Sequence, residues 1–243
     1  MKTATSRIGG KAFAALAIAL MGVLSTQAQD DVGVRFGLKL SPNMGWVNPD
    51  SKNIKAGGAG LGYTFGLLLE LPIGTTGNYR FATGLNLNNM VAKWQQDFEY
   101  FDAPGGPKKL KELETDVKLQ YIELPLTIKL MTNEIGYMRY YAVVGAGNAF
   151  NIRARADYVV PQYYANAPTL VEKFEEVTDE NLQDDIALYK ASLIVGAGLE
   201  YNFSGNTSLV TGITYNNGFT NILDVDGVKA RAHYLELTVG VFF

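Results

Sequence analysis

Residues 189–203 read YKASLIVGAGLEYNF, and their alternation decides the fold. In an extended chain Tyr189, Ala191, Leu193, Val195, Ala197, Leu199, Tyr201 and Phe203 share one face, while Lys190, Ser192, Gly196, Gly198, Glu200 and Asn202 take the other. Successive side chains of a strand point to opposite sides, so this is a strand with one apolar and one small or polar surface. A strand of a soluble sandwich is usually about 5 to 6 residues long. A run this long, apolar on one face only, is the pattern of a membrane-spanning β-strand.

The same period of two recurs outward from it, at about 32–40, 61–71, 79–98, 115–131, 137–151, 207–219 and 230–243. The connections alternate in length. PIGTTGN (72–78), TNEIG (132–136) and SGN (204–206) are short turns, whereas 47–57, 99–114, 152–186 and 220–229 are longer. Short turns at one end and longer loops at the other match an all-β, eight-stranded antiparallel up-and-down transmembrane barrel in the outer membrane, with both termini periplasmic.

The composition fits. The chain has 26 Gly, 14 Tyr, 12 Phe and 19% charged residues, with a mean hydropathy of +0.01. It has no Cys and one His. Disulfide frameworks, Cys-zinc sites and thiol nucleophiles are thereby excluded, and no metal or other cofactor is expected. Residues 1–28 join Lys2, Arg7 and Lys11 to the apolar run AFAALAIALMGVL and the small, polar STQAQ. That is a secretory signal peptide, cut after Ala28; an apolar run of 13 residues is too short for a spanning helix, which needs about 20. The barrel domain is then 29–243. Its 18 Lys and Arg against 24 Asp and Glu give a net charge of −6, which disfavours a nucleic-acid partner.

Pattern alone leaves open which face is outside. Two features favour an apolar exterior: the minority face carries charge on nearly every strand, and an eight-stranded barrel is just wide enough inside for side chains to fill it. Buried charges must pair, and both signs are present: Arg35, Lys39, Arg80, Lys129, Arg139 and Lys190 against Glu70, Glu123, Glu200 and Glu236. Arg35, Glu70, Arg80, Lys129, Arg139 and Glu200 are expected to cluster in the periplasmic half of the lumen as a structural plug.

Tyr63, Tyr79, Phe81, Tyr140, Tyr189, Tyr201, Phe203, Tyr215 and Tyr234 lie near strand ends, where amphipathic rings suit the headgroup boundary. The chain ends YLELTVGVFF, and the terminal Phe243 resembles the signal read by the barrel assembly machinery. QYIELPLTIKL (120–130), the opening GVRFGLKLSPNMGW and the VGAG pieces at 144–147 and 195–198 resemble the PorT-like outer-membrane β-barrel proteins of Bacteroidota. The resemblance implies an eight-stranded barrel and, for the founding member, a part in type IX secretion and gliding. Pro125, lacking an amide donor, is expected to mark a bulge.

Chemistry is sparse. His233 has no catalytic pair beside it in sequence, so a non-enzymatic structural or binding role is expected. A narrow solute or ion channel and a lipid-modifying enzyme are the alternatives. The connection 152–186 begins basic, carries Tyr158, Tyr163 and Tyr164, and turns acidic through Glu172, Glu175, Glu176, Asp179 and Glu180. It reads as a solvated loop or as a contact surface for a protein, a glycan stacked on the tyrosines, or calcium, although no Asp-x-Asp-x-Asn-Gly spacing is present. Thr178 is the expected N-cap of a short helix. The basic stretch 102–114 is placed to pair with the acidic segment across the rim. Partners are therefore outer-membrane lipid, the assembly machinery and a protein or glycan at the loops.

Overall fold

The computed structural model describes residues 33–50, 55–205, 207–225 and 228–243; the expected signal peptide lies outside them. Nine strands are present among the described residues: β1 (Arg35–Pro49), β2 (Lys55–Pro72), β3 (Tyr79–Tyr100), β4 (Lys109–Met131), β5 (Met138–Tyr164), β6 (Ala167–Asn181), β7 (Tyr189–Ser204), β8 (Thr207–Gly218) and β9 (Ala230–Phe242). Eight of them close a ring. Each pairs antiparallel with its neighbour, β4 meets β5, β5 meets β7, and β9 returns to β1. Closure leaves no free edge in the wall, the condition for a sheet that spans lipid.

The alternation lands as the side chains demand. Leu38, Phe65, Leu85, Leu126, Val144, Val195, Ile213 and Leu237 all stand exposed on the outer surface, among many other large apolar residues. Apolar patches of this extent are rare on water-soluble monomers; here the band encircles the barrel and is accommodated by hydrocarbon. Ser41, Thr64, Asn88, Glu123, Lys190, Asn216 and Glu236 point inward and are buried. Glycine makes room where the bore is most crowded: a Cβ on Gly198 or Gly212 would lie 2.5 or 2.4 Å from the Tyr141 hydroxyl.

Three features depart from the sequence reading. First, the connection 152–186 is mostly strand. β5 runs on past the wall and folds back as β6, and residues 178–181 extend β6, so Thr178 caps no helix; a single 3₁₀ turn follows at Gln183–Asp185. Its charges and Pro161 break the apolar alternation, yet its backbone is still satisfied by strand pairing. Second, the bulge does not fall at Pro125. Register to β3 is the same on both sides of Pro125, with no pairs between Ala82↔Thr127 and Asn86↔Glu123, and Pro125 itself sits opposite Gly147 of β5. The bulge lies instead where Tyr121↔Asn151 is followed by Gln120↔Arg153, leaving Ile152 as the extra residue. Third, Tyr234 is not in an interfacial belt. It shares the parity of Ala232 and Glu236, is 2% exposed and points into the lumen.

Candidate functional site

The lumen is occupied at successive levels. At the end holding the turns and the carboxyl terminus, Glu70 meets Lys129 Nζ at 2.5 Å, Arg35 Nη1 at 3.4 Å and Arg80 Nε at 3.9 Å. Glu200 meets Arg35 Nη2 at 2.9 Å and also pairs with Lys129. Register explains the convergence, because Arg35 faces Glu70 across β1–β2 and Arg80 faces Lys129 across β3–β4. The Arg35 guanidinium lies 4.3 Å from the Phe242 ring centroid, adding a cation–π contact. Arg139 faces Glu200 in register and forms an ion pair with Glu134 of the neighbouring turn, at 3.5 Å.

Above this layer lies a cavity of about 110 Å³ whose walls include Lys39, Glu70, Lys129, Glu123, Asn216 and Glu236. That is space for a few waters, at about 30 Å³ each. Lys39 pairs with Glu236 at 2.5 Å on one side. On the other, Glu123 accepts from Asn86 at 3.3 Å, Asn216 at 3.2 Å and the Tyr234 hydroxyl at 2.9 Å. Lys190, 1% exposed, sits 4.9 Å from the Tyr234 ring centroid and 5.3 Å from that of Tyr121. Asn86 Oδ1 and Asn216 Oδ1, both on residues lining this cavity, make no hydrogen bond among the described residues. Buried polar atoms are rarely left so, and ordered water in the cavity is the physical remedy.

Toward the hairpin end the lumen turns apolar. Val47, Met90, Val117, Leu119, Tyr121, Ile186, Ile222 and Ala232 form one buried cluster, with Trp94, Tyr158, Leu182 and Leu223 packed on it. No charge pattern announces this plug; its signal is the apolar parity of Val117, Leu119 and Tyr121 continuing from Glu123.

Beyond the wall the β3–β4 and β5–β6 hairpins meet. Phe174 packs edge-on against Tyr100 at 5.1 Å and Phe98 at 6.3 Å, Lys111 Nζ lies 3.7 Å from its ring centroid, and the Val171 amide donates to the Phe101 carbonyl. The expected pairing of basic and acidic loops is not how they join. Lys108 and Lys109 pair with Glu99 and Asp102 of their own hairpin. Of the expected contact residues, Tyr163, Tyr164, Glu172, Glu175, Glu176 and Glu180 are exposed on the β5–β6 hairpin, Tyr158 packs inward on the plug, and Asp179 is drawn to Arg155 and Asp157. His233 faces outward at 5% exposure, with Trp46 and Tyr215 at 6.1 and 6.4 Å between ring centroids.

A family model described as outer membrane protein beta-barrel domain matches residues 27–224. The chain belongs to that family. Its closed ring and lipid-facing band are what an outer-membrane barrel requires. No match is found among curated proteins. Among solved structures this outer-membrane barrel is similar to Neisserial surface protein A, at 18% identity over 86% of this chain and 97% of that one, with a TM-score of 0.43. Ail of Yersinia pestis, solved in complex with the heparin analogue sucrose octasulfate, is 15% identical over 86% and 99%, with a TM-score of 0.38. The outer membrane protease OmpT of Escherichia coli is 8% identical over 90% and 99%, with a TM-score of 0.40.

Proposed function

We propose that this outer-membrane barrel is a non-conducting, non-enzymatic binding protein, inserted with both termini in the periplasm, that presents its joined hairpins at the cell surface to a protein or glycan. The observation that supports this reading best is the division of labour along the axis. The bore is filled by the charge layer and by the apolar plug from Val47 to Ala232, while the structure added beyond the wall is a platform of two hairpins coupled through Phe174. A strand pair held in one geometry loses less entropy on binding than a flexible loop does. Exposed Tyr163 and Tyr164 beside the acidic row of β6 suit a partner with stacking surfaces or positive charge. The PorT-like resemblance of the fourth strand makes secretion or envelope organisation the setting. Replacing 159–176 by a short turn in the native host tests the reading: folding in the outer membrane should persist while a cross-linked surface partner is lost. Retention of every cross-linked partner, or regular conductance steps in planar bilayers, would overturn it.

A further inference from the structure

The outer wall near the hairpin end carries a groove of about 310 Å³, lined by Leu61, Tyr63 and Val91 on its apolar side and by Asn89, Lys118, Gln120, Arg153, Arg155 and Asp179 on its polar side. Register sets Tyr63, Asn89, Gln120 and Arg153 in one row across β2, β3, β4 and β5. Strands lie about 4.8 Å apart, so the row is compact. The bulge at Ile152 creates it. From Arg139 to Asn151 the odd-numbered residues of β5 face the lumen, but past Ile152 Ala154 and Ala156 turn inward and Arg153 and Arg155 outward. A bulge re-aims side chains in this way.

The unsatisfied atoms of the groove share one chemistry. Asn89 Oδ1 accepts from Gln120 at 2.7 Å, which leaves Asn89 Nδ2 as a buried donor without a partner. Arg155 Nε is likewise a buried donor without one. The exposed Arg153 guanidinium makes no ion pair or side-chain hydrogen bond among the described residues. Lys118 is braced by the Asp157 carboxylate at 2.5 Å, and Arg155 by the Asp179 carbonyl at 2.8 Å and carboxylate at 3.8 Å, so both cations are pre-oriented and Arg153 supplies the positive charge left unpaired among the described residues. Converging donors, a planar guanidinium and pre-set cations are the recognition chemistry of a phosphate oxygen.

We propose that this groove binds the phosphate headgroup of an anionic membrane lipid. The headgroup sits between Asn89, Arg153 and Arg155, and the acyl chains run down the apolar wall past Tyr63 and Leu61. The position selects a lipid over a free anion, because Leu61 and Tyr63 are 80% and 55% exposed on the surface that faces hydrocarbon. The site lies at the base of the β5–β6 hairpin, below residues 159–176, so it stands if that tip proves to bind nothing.

The test is native mass spectrometry of the folded full-length barrel, titrated with dioleoylphosphatidic acid. The wild type should retain one tightly held lipid. Arg153→Gln, and independently Asn89→Asp, should each weaken retention about tenfold, the scale of one charge-assisted hydrogen bond. Lys108→Gln, on the other hairpin, should leave it unchanged. Both groove variants are at the surface, and unaltered heat-modifiable gel mobility confirms their folding. Equal retention by wild type and Arg153→Gln would overturn the proposal, as would displacement of the lipid by inorganic phosphate, which marks a site for the free anion.

Discussion

Replacing Glu70 by Gln keeps the shape of the side chain and removes its charge, and the lumen amplifies that change. Glu70 is 2% exposed and is approached by Lys129 Nζ at 2.5 Å, Arg35 Nη1 at 3.4 Å and Arg80 Nε at 3.9 Å. Among the described residues Glu70 and Glu200 are the carboxylates these cations share in this layer, and Arg139 faces Glu200 as well. The substitution makes the net charge of the buried cluster more positive by one. Breaking a buried pair by removing one partner costs about 3–5 kcal/mol, because the remaining charge is left desolvated. The amide still accepts a hydrogen bond, which places the expected loss near the lower end, at about 3 kcal/mol. With a urea dependence of about 2 kcal/mol per molar, the unfolding midpoint should fall by about 1.5 M. The assay is reversible urea unfolding in lipid vesicles, read by the separation of folded and unfolded bands on an unheated gel. Adding Lys129→Met returns the cluster to its original net charge, so the double variant should recover much of the loss. A midpoint shift under about 0.2 M, or a double variant whose loss is the sum of the two single ones, would refute the argument that this layer is a coupled charge network.

Other outcomes follow from individual contacts. Gly198→Val places a side chain 2.5 Å from the Tyr141 hydroxyl and 2.2 Å from the Thr211 carbonyl, so overpacking should destabilise the barrel by at least about 2 kcal/mol in the same urea assay; wild-type stability would show that the bore has slack there. Phe174→Ala removes the ring that couples the hairpins, so limited proteolysis should cut 159–176 faster while the wall stays intact; an unchanged digestion rate would place the coupling elsewhere. At the tip of the β3–β4 hairpin, Lys109 donates to Asp102 and holds that carboxyl below its ordinary value. The contact is therefore complete at neutral pH and lost only as the pH falls through the lowered value, and an NMR titration of Asp102 with an ordinary or raised midpoint would contradict it.

The alternation in 189–203 sorted the side chains into two faces, and the charge on the minority face pointed to it as the inner one: Lys190, Ser192 and Glu200 are buried and Leu193 and Val195 exposed. It also brought Arg35, Glu70, Arg80, Lys129 and Glu200 to one level, because parity and register follow from strand geometry once the ring closes. What stayed hidden has specific causes. One extra residue at Ile152 reverses parity, and nothing in the sequence NIRARAD marks it, so the outward turn of Arg153 and Arg155 was invisible. The β5–β6 hairpin lacks an apolar face because it stands clear of lipid, and so it read as a loop. Tyr234 was legible after all: it lies two residues before Glu236, on the same face. Whether the hairpins hold a partner depends on surface chemistry that strand periodicity does not encode.

The absence of Cys makes one measurement especially clean. Single cysteines placed in turn at residues 191–195, 197 and 199, each carrying a small fluorophore, report lipid contact through quenching by brominated acyl chains in vesicles. An outward apolar face and a filled lumen predict strong quenching at residues 191, 193, 195, 197 and 199 and weak quenching at 192 and 194. Quenching without a period of two, or strongest at the even positions, would contradict the lipid-spanning barrel itself.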